Sequence, residues 1–430
     1  MNKIKTMVNF FKKLKPVLLP VIAFVSISTK AQNYIRTPLN ICSEKDIDKI
    51  VAKVGNKRIV AIGEDTHGTK EYFEFRRLLT QKLIKEKGFN VFILENPHED
   101  MMAIQEDLYN QPLDTLIRKH LFAIYQTQQM KFFLSWLKNC IKNKKDFTIV
   151  GCDDSYREIL PEMLKKTMAV YKDNYLNQLT EEFGQRQLSS VEEFYALPGK
   201  NKPGSLPDDD KFGYETFVVI SKIDSLCQTK KTKSRKGEEL IFHAYTNYRI
   251  YADIRNKQYV SRDEVMGQRV NFYTRDKNAK IIIWANGAHI AKSPVEGEIG
   301  LMGTTIAKQN KGNYINIGLC TAEGSYSYIN NRFINDDHNF DDTLFNTSFL
   351  PVEKTSWNNV FSHYNMNSFL LDFTKLKKAA AAFFSEMKPF RVLGYRKQAN
   401  QQSTYYAASP YKLYDLLIFI RKTSHTTALF

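Results

Sequence analysis

The sequence has no CxxC pair, no cysteine and histidine at zinc-finger spacing, no glycine-rich phosphate loop and no GxSxG turn. Those absences argue against a structural zinc site, a phosphate cradle of the P-loop kind and the nucleophile elbow of serine hydrolases. No internal repeat is present. The five cysteines, at 42, 140, 152, 227 and 320, leave one or two disulfides open with at least one thiol over. Cys152 and Cys320, each beside a strand pattern, are expected as buried free thiols. Beyond the N-terminal segment no apolar stretch approaches the length that spans a bilayer.

What is present points to a globular protein. Hydrophobic residues at 43% and aromatics at 13% of 430 residues supply a packed core. The length suits two or three domain-sized units, or one large catalytic domain carrying an insertion. Lysine and arginine number 62 against 46 acids, a formal +16. Residues 1–31 read as a signal peptide, with Lys3, Lys5, Lys12, Lys13 and Lys15 ahead of an apolar run over 16–28 and then Thr-Lys-Ala31. Their loss removes six lysines and no acids, so the remainder carries +10, a moderate excess that implies neither nucleic acid nor membrane. Export to the periplasm or the cell exterior is the expected localisation; the oligomeric state is left open.

Short runs rich in β-branched residues recur: Arg58–Gly63, Asn90–Leu94, Phe147–Gly151, Lys280–Trp284 and Tyr314–Gly318. They are continuous rather than alternating, and helical patterns intervene, so they read as strands buried on both faces of a sheet. The expected fold is α/β, a largely parallel central sheet flanked by helices, with a helical insertion. Tyr72, Phe75, Leu79 and Leu83 mark one amphipathic helix, stopped at Gly88; Met130–Lys145 carries a similar pattern. The expected division places the first part of the core over 38–154, the insertion over 155–256 with a Pro/Gly/Asp loop at 197–210, and the second part of the core over 257–430. The basic run Lys230–Lys236 reads as a solvated loop.

The residues that follow the strands carry the chemistry. The first run empties into Gly63-Glu64-Asp65-Thr66-His67-Gly68, the second into Glu95-Asn96-Pro97, the third into Cys152-Asp153-Asp154 and the fourth into Ala285-Asn286-Gly287-Ala288-His289. Carboxyl ends of parallel strands share one edge, where ligands bind, so Glu64, His67, Glu95, Asp153 and His289 should converge. Taken singly, Glu64 and Asp65 could only cap a helix and Asp153 could only tie a turn. An imidazole in a tight glycine-flanked loop is harder to account for by packing and is suited to proton transfer. His98 reads as a loop residue, and His120, His243, His338, His363 and His425 as surface or satisfied histidines. In a helical stretch over 257–274, Tyr259, Arg262, Met266, Val270 and Tyr273 share a face, which sets Arg262 among apolar neighbours, either snorkelling or aimed at the acids.

At these residues the sequence resembles the erythromycin esterase family. The resemblance lies in Val60-Ala-Ile-Gly-Glu64-Asp-Thr-His67-Gly68, Phe92-Ile-Leu-Glu95, Gly151-x-Asp153, Ser261-Arg262-Asp263-x-x-Met266, Trp284-Ala-x-x-Ala-His289, Met302-Gly303 and a closing strand over Tyr414–Arg421. It implies a metal-independent hydrolase without a cofactor that opens a macrolide lactone, a small-molecule ester, with water, and so a role in macrolide resistance. By motif position it implies His67 as the base that activates water, Glu64 and Glu95 as orienting groups, and Arg262 and His289 as supports for charge on the carbonyl oxygen. Asp153, Asn286 and Trp284 are expected at the substrate. Asn286-Gly287 stands where the family commonly has His-Asn, and Tyr125–Gln129 departs from a segment that usually carries a tryptophan and a glutamate. The alternatives are a metal-dependent hydrolase of another ester, built from Glu64, His67, Glu95, Asp153 and His289, or a polysaccharide-related binding protein that uses the same pocket without turnover.

Overall fold

The computed structural model describes residues 37–144, 146–154, 159–196, 211–229, 234–256, 258, 260–293, 301–330, 343–400 and 404–430. The signal-peptide segment, the loop over 197–210, Lys230 to Lys233, Lys257, Tyr259 and His338 lie outside the described residues.

The chain opens with α1 (Glu44–Val54), β1 (Ile59–Glu64), α2 (Lys70–Glu86), β2 (Val91–Pro97), α3 (His98–Asp107), α4 (Leu113–His120), α5 (Gln128–Ile141) and β3 (Thr148–Asp153). Four helices follow, α6 (Ile159–Met168), α7 (Asn174–Ala196), α8 (Lys211–Thr229) and α9 (Arg235–Arg255). Next come α10 (Arg262–Tyr273), β4 (Ile281–Asn286), α11 (Met302–Gln309), β5 (Tyr314–Tyr328), β6 (Phe345–Ser348), α12 (Trp357–Ser362) and β7 (Ser368–Asp372). The chain closes with α13 (Lys378–Phe384), β8 (Lys388–Arg391), β9 (Tyr405–Ala408), α14 (Pro410–Leu413) and β10 (Leu416–Thr423).

The sheet runs β3-β2-β4-β1-β5-β10-β7, with β6 on the far half of β5. From β3 to β10 every pairing is parallel; β7 and β6 add antiparallel edges, and β8 and β9 form a separate two-stranded ribbon. This is the α/β fold that the buried runs imply. β1, β2 and β4 are buried at every position, and alternation then sorts their side chains between two cores. Val60, Ile62, Phe92, Leu94, Ile282 and Trp284 pack toward α1, α2 and α5, whereas Ile59, Ala61, Ile93 and Ile283 pack toward α6 to α11. The chain leaves β1 for β2, which lies beyond the slot later filled by β4, and returns to the other side of β1 for β5. Such a reversal opens a crevice at the carboxyl ends of the strands.

Helix α2 follows its pattern, burying Tyr72, Phe75, Leu79 and Leu83. It stops where Gly88 takes φ 69°, a left-handed turn that favours glycine. Three expectations need correction. His98 is no loop residue but the first residue of α3, buried against Tyr273 and the ring of His243, because Pro97 is tolerated just before the first helical turn. Helix α10 begins at Arg262, where Ser261 and Glu264 form a capping box, so Val260 and Ser261 are not part of the helix. Asp65 caps nothing: Thr69 precedes α2, and Asp65 is buried with Tyr72 and Arg391. All five cysteines are free, and Cys152, Cys227 and Cys320 are buried. No helix among the described residues is long and apolar enough to cross a membrane.

Candidate active site

Strand β1 ends on Glu64, and the loop that follows carries His67 back over it. The loop is pressed tightly, since a Cβ on Gly68 would meet the Ser327 carbonyl oxygen at 1.9 Å. Both residues are buried, and His67 Nδ1 lies 3.0 Å from Glu64 Oε1. A carboxylate only accepts, so Nδ1 carries a hydrogen in this contact. Glu64 is itself held by Arg76 of α2, whose Nη1 is 2.7 Å from the same Oε1, both side chains having no exposure. The Arg76 guanidinium also lies over the rings of Phe73 and Trp284, at 4.6 and 4.7 Å. The Tyr125 hydroxyl is 3.2 Å from His67 Nδ1, its ring edge-on to the imidazole.

The other ring nitrogen of His67 faces Glu95. Nε2 is 3.7 Å from Glu95 Oε1, and His289 Nε2 is 3.2 Å from that same oxygen. Glu95 Oε2 accepts the Asn286 backbone N–H at 2.6 Å. Burial alone would raise the Glu95 carboxyl, but the His289 imidazole beside it outweighs that and holds it well below the usual carboxylate range. His289 meets a second carboxylate at Nδ1, 2.8 Å from Asp263. Burial disfavours its charge, yet Glu95 and Asp263 outweigh that and lift the imidazole well above its ordinary value, so both ring nitrogens are donors. Asp263 is correspondingly lowered: burial opposes, and His289 prevails.

At the end of β3, Asp153 takes Arg262 in a two-pronged contact, Nε to Oδ1 at 2.8 Å and Nη2 to Oδ2 at 2.5 Å. The Arg262 side chain is 44% exposed, so it is neither packed among apolar neighbours nor hidden. The next acid, Asp154, is 2.6 Å from buried Arg269, which also donates to the Cys152 carbonyl and to Thr246 and Asn247 of α9. Arg269 thereby fastens the end of β3 to that helix.

Glu64, His67, Glu95, Asp153, Arg262, Asn286 and His289 therefore meet at one edge. Trp284 does not. It is fully buried, its indole N–H donates to Thr80 at 3.0 Å, and it lies edge-on to Phe73 and Phe92 and tilted on Phe133. Two residues before the strand end, it shares the core-facing parity of Ile282 and cannot reach a substrate. Asn286 is placed at the edge, its side-chain oxygen accepting from the Ala288 N–H while its Nδ2 has no partner among the described residues. Among the described residues no group of three or more His, Cys, Asp or Glu side chains is arranged to hold a metal ion; the carboxylates face Arg76, Arg262, Arg269 and His289.

Sequence reasoning missed Arg76, Arg269, Arg391 and the roles of Asp263 and Tyr125. Arg76 carried a readable signal, a charge set four residues after Tyr72 and three before Leu79 on a buried stripe. Arg391 carried none, because its partner Asp65 is 326 residues away.

The erythromycin esterase family profile matches residues 84–423. Erythromycin esterase type II from Escherichia coli is 23% identical over 300 residues, covering 63% of this chain and 70% of that protein. A succinoglycan biosynthesis protein of known structure superposes with a TM-score of 0.75 at 18% identity, over 94% of this chain and 98% of the other. A Bacillus cereus protein gives 0.74 at 19% identity, over 94% and 98%. A mutant of the erythromycin esterase EreC in its open conformation gives 0.66 at 16% identity, over 92% and 99%.

Proposed function

The chain belongs to the erythromycin esterase family, and we propose that it is an exported ester hydrolase that opens a cyclic ester, a macrolide lactone first among candidates, with water activated by His67. The observation that carries this is the orientation of His67: Nδ1 tied to Glu64, and Nε2 turned toward Glu95 and His289. Family membership supports the coarser statement, an esterase-like hydrolase. Export rests on the lysine-rich and apolar pattern of residues 1–31.

In this reading water sits to one side of the His67 Nε2 and Glu95 Oε1 pair, within hydrogen-bond reach of both. Nε2 takes one of its protons as the oxygen attacks the lactone carbonyl, and the carbonyl π pair moves onto its oxygen. His289 and the outward edge of Arg262 face that oxyanion. The tetrahedral intermediate then expels the ring alkoxide, which takes the proton from His67, leaving an acid and an alcohol. A positioned imidazole base contributes about 10²–10⁴-fold, and one oxyanion donor about 10²–10³-fold. The local charge supports the assignment. Glu64, Glu95, Asp153 and Asp263 are met by Arg76, Arg262 and the His289 imidazolium, so the cluster holds one negative charge too many until His67 becomes a cation. A macrolide product would lose its lactone ring, which is the basis for a resistance role.

The test is mass spectrometry of erythromycin and a panel of other macrolides and simple esters incubated with residues 32–430, with and without EDTA, beside His67→Ala. The expected result is a gain of one water that survives EDTA and vanishes in the variant. No mass change for any ester would overturn the hydrolase reading; a gain abolished by EDTA would overturn the metal-free mechanism.

A further inference from the structure

His67 and Tyr125 touch, yet they lie on segments 58 residues apart that share no element. The residues just after β10 join those two segments. The chain leaves the sheet at Thr423 and runs first along the His67 loop. The Lys70 N–H donates to the Ser424 carbonyl at 2.9 Å, and the Thr426 N–H to the Gly68 carbonyl at 3.1 Å. Ser424 is also fixed by Glu71, which accepts from its N–H at 2.7 Å and its hydroxyl at 2.6 Å. It then runs along the segment that carries Tyr125, where the Gln128 N–H donates to the Thr427 carbonyl at 2.9 Å and the Leu429 N–H to the Gln126 carbonyl at 3.0 Å. Isolated antiparallel bridges, Thr69 to His425 and Thr127 to Ala428, mark the same two contacts.

We infer that residues 424–429 are a catalytic positioning element, a clasp that sets His67 against Tyr125 and thereby fixes the angle of the imidazole. This rests on the reading of His67 as the base. The physical case is that a loop held only at its ends samples many conformations, and each backbone bond from the clasp removes some of that freedom. The Gly68 carbonyl, one residue past the base, accepts from both Thr426 and Ser327, so the clasp acts directly beside His67. Nothing in the clasp reaches the reacting atoms: its role is to hold the base in register, where an error of about 1 Å can cost 10²-fold. The sheet is complete without it, since β10 ends at Thr423.

The experiment compares the chain over residues 32–430 with one stopped after Thr423, and with Thr426→Pro in the longer chain, which removes the N–H given to Gly68. Rates are measured on the ester that the wild-type chain cleaves fastest, with and without the free peptide Ser-His-Thr-Thr-Ala-Leu-Phe. The expected result is a fall in kcat of about tenfold to hundredfold with KM changed less than threefold, and saturable recovery when the peptide is added to the shortened chain. Unchanged kcat in a folded shortened chain overturns the inference, as does a loss confined to KM. If the shortened chain shows no cooperative melting, Thr426→Pro decides by the same split. If the wild-type chain cleaves no ester, the hydrolase reading fails, and the clasp is judged by the NMR titration of the His67 imidazole. A midpoint moved by shortening and restored by peptide supports it; a midpoint that stays put overturns it.

Discussion

Arg76 and Glu64 meet inside the molecule at 2.7 Å with neither side chain reaching solvent. The pair joins the second layer of helix to the carboxyl end of the central strand, and His67 hangs from the same carboxylate oxygen. A buried pair of this kind adds little net stability over apolar groups of equal size, but removing one member strands the other charge. Arg76→Met should therefore cost about 3–5 kcal/mol in urea unfolding and abolish turnover. The double variant Arg76→Met with Glu64→Gln should regain most of the stability and none of the activity. Equal stability of the single and double variants would show that the stranded charge is not the cause.

The His289 group predicts a pH signature. His289 is raised, so its ion pairs are present in full below its unfolded value and are lost as pH climbs through the raised folded value. Glu95 and Asp263 are lowered, so their share is present above the unfolded carboxylate values and is lost as pH falls through the folded ones. The melting temperature of the wild-type chain minus that of His289→Gln should be greatest across neutral pH. It should shrink in acid below the ordinary carboxylate range and again in alkali well above pH 6.5. A difference independent of pH would remove the ion pairs as its source.

Asp153 and Arg262 separate stability from function. Arg262 is 44% exposed and Asp153 6%, so solvent screens the pair from the guanidinium side and its contribution to stability is small. Asp153→Asn should leave the melting temperature within a few degrees of wild type while lowering kcat/KM about tenfold or more, since the guanidinium loses its fixed direction. An unchanged kcat/KM would remove Arg262 from the site.

Trp284 should behave as a core residue. Trp284→Phe keeps an aromatic ring among Phe73, Phe92 and Phe133 but leaves Thr80 without its donor. It should lower stability by about 1–3 kcal/mol with KM unchanged. A raised KM at full stability would restore it to the substrate.

Much of the architecture was legible in the order of residues. Ile59–Glu64 and Ile281–Asn286 could be read as doubly buried strands because β-branched residues fill both parities, a pattern set by immediate neighbours. Polar residues at the ends of such strands must lie on one edge once the strands are parallel, which is why Glu64, Glu95, Asp153 and Asn286 could be grouped before any coordinates. The glycine stop at Gly88 and the parity of Trp284 were also present in the sequence, although the second was overshadowed by its place in a site motif.

Pairing was decided only by the tertiary structure. Glu64 takes Arg76 and Asp65 takes Arg391, though both acids stand side by side in one motif. Their side chains leave the chain in opposite directions and enter different surroundings, and nothing local tells which cation waits there. His289 becomes a cation because Glu95, from a strand far earlier in the chain, and Asp263, from the start of a helix, close on its two nitrogens. Periodicity is a property of neighbours along the chain, so the sequence by itself determined the strands, their buried faces and the edge where the acids gather. Charge state and hydrogen-bond direction depend on groups brought together across the chain, so the tertiary structure alone set His67 against Glu64, His289 between two carboxylates and residues 424–429 beside the His67 loop.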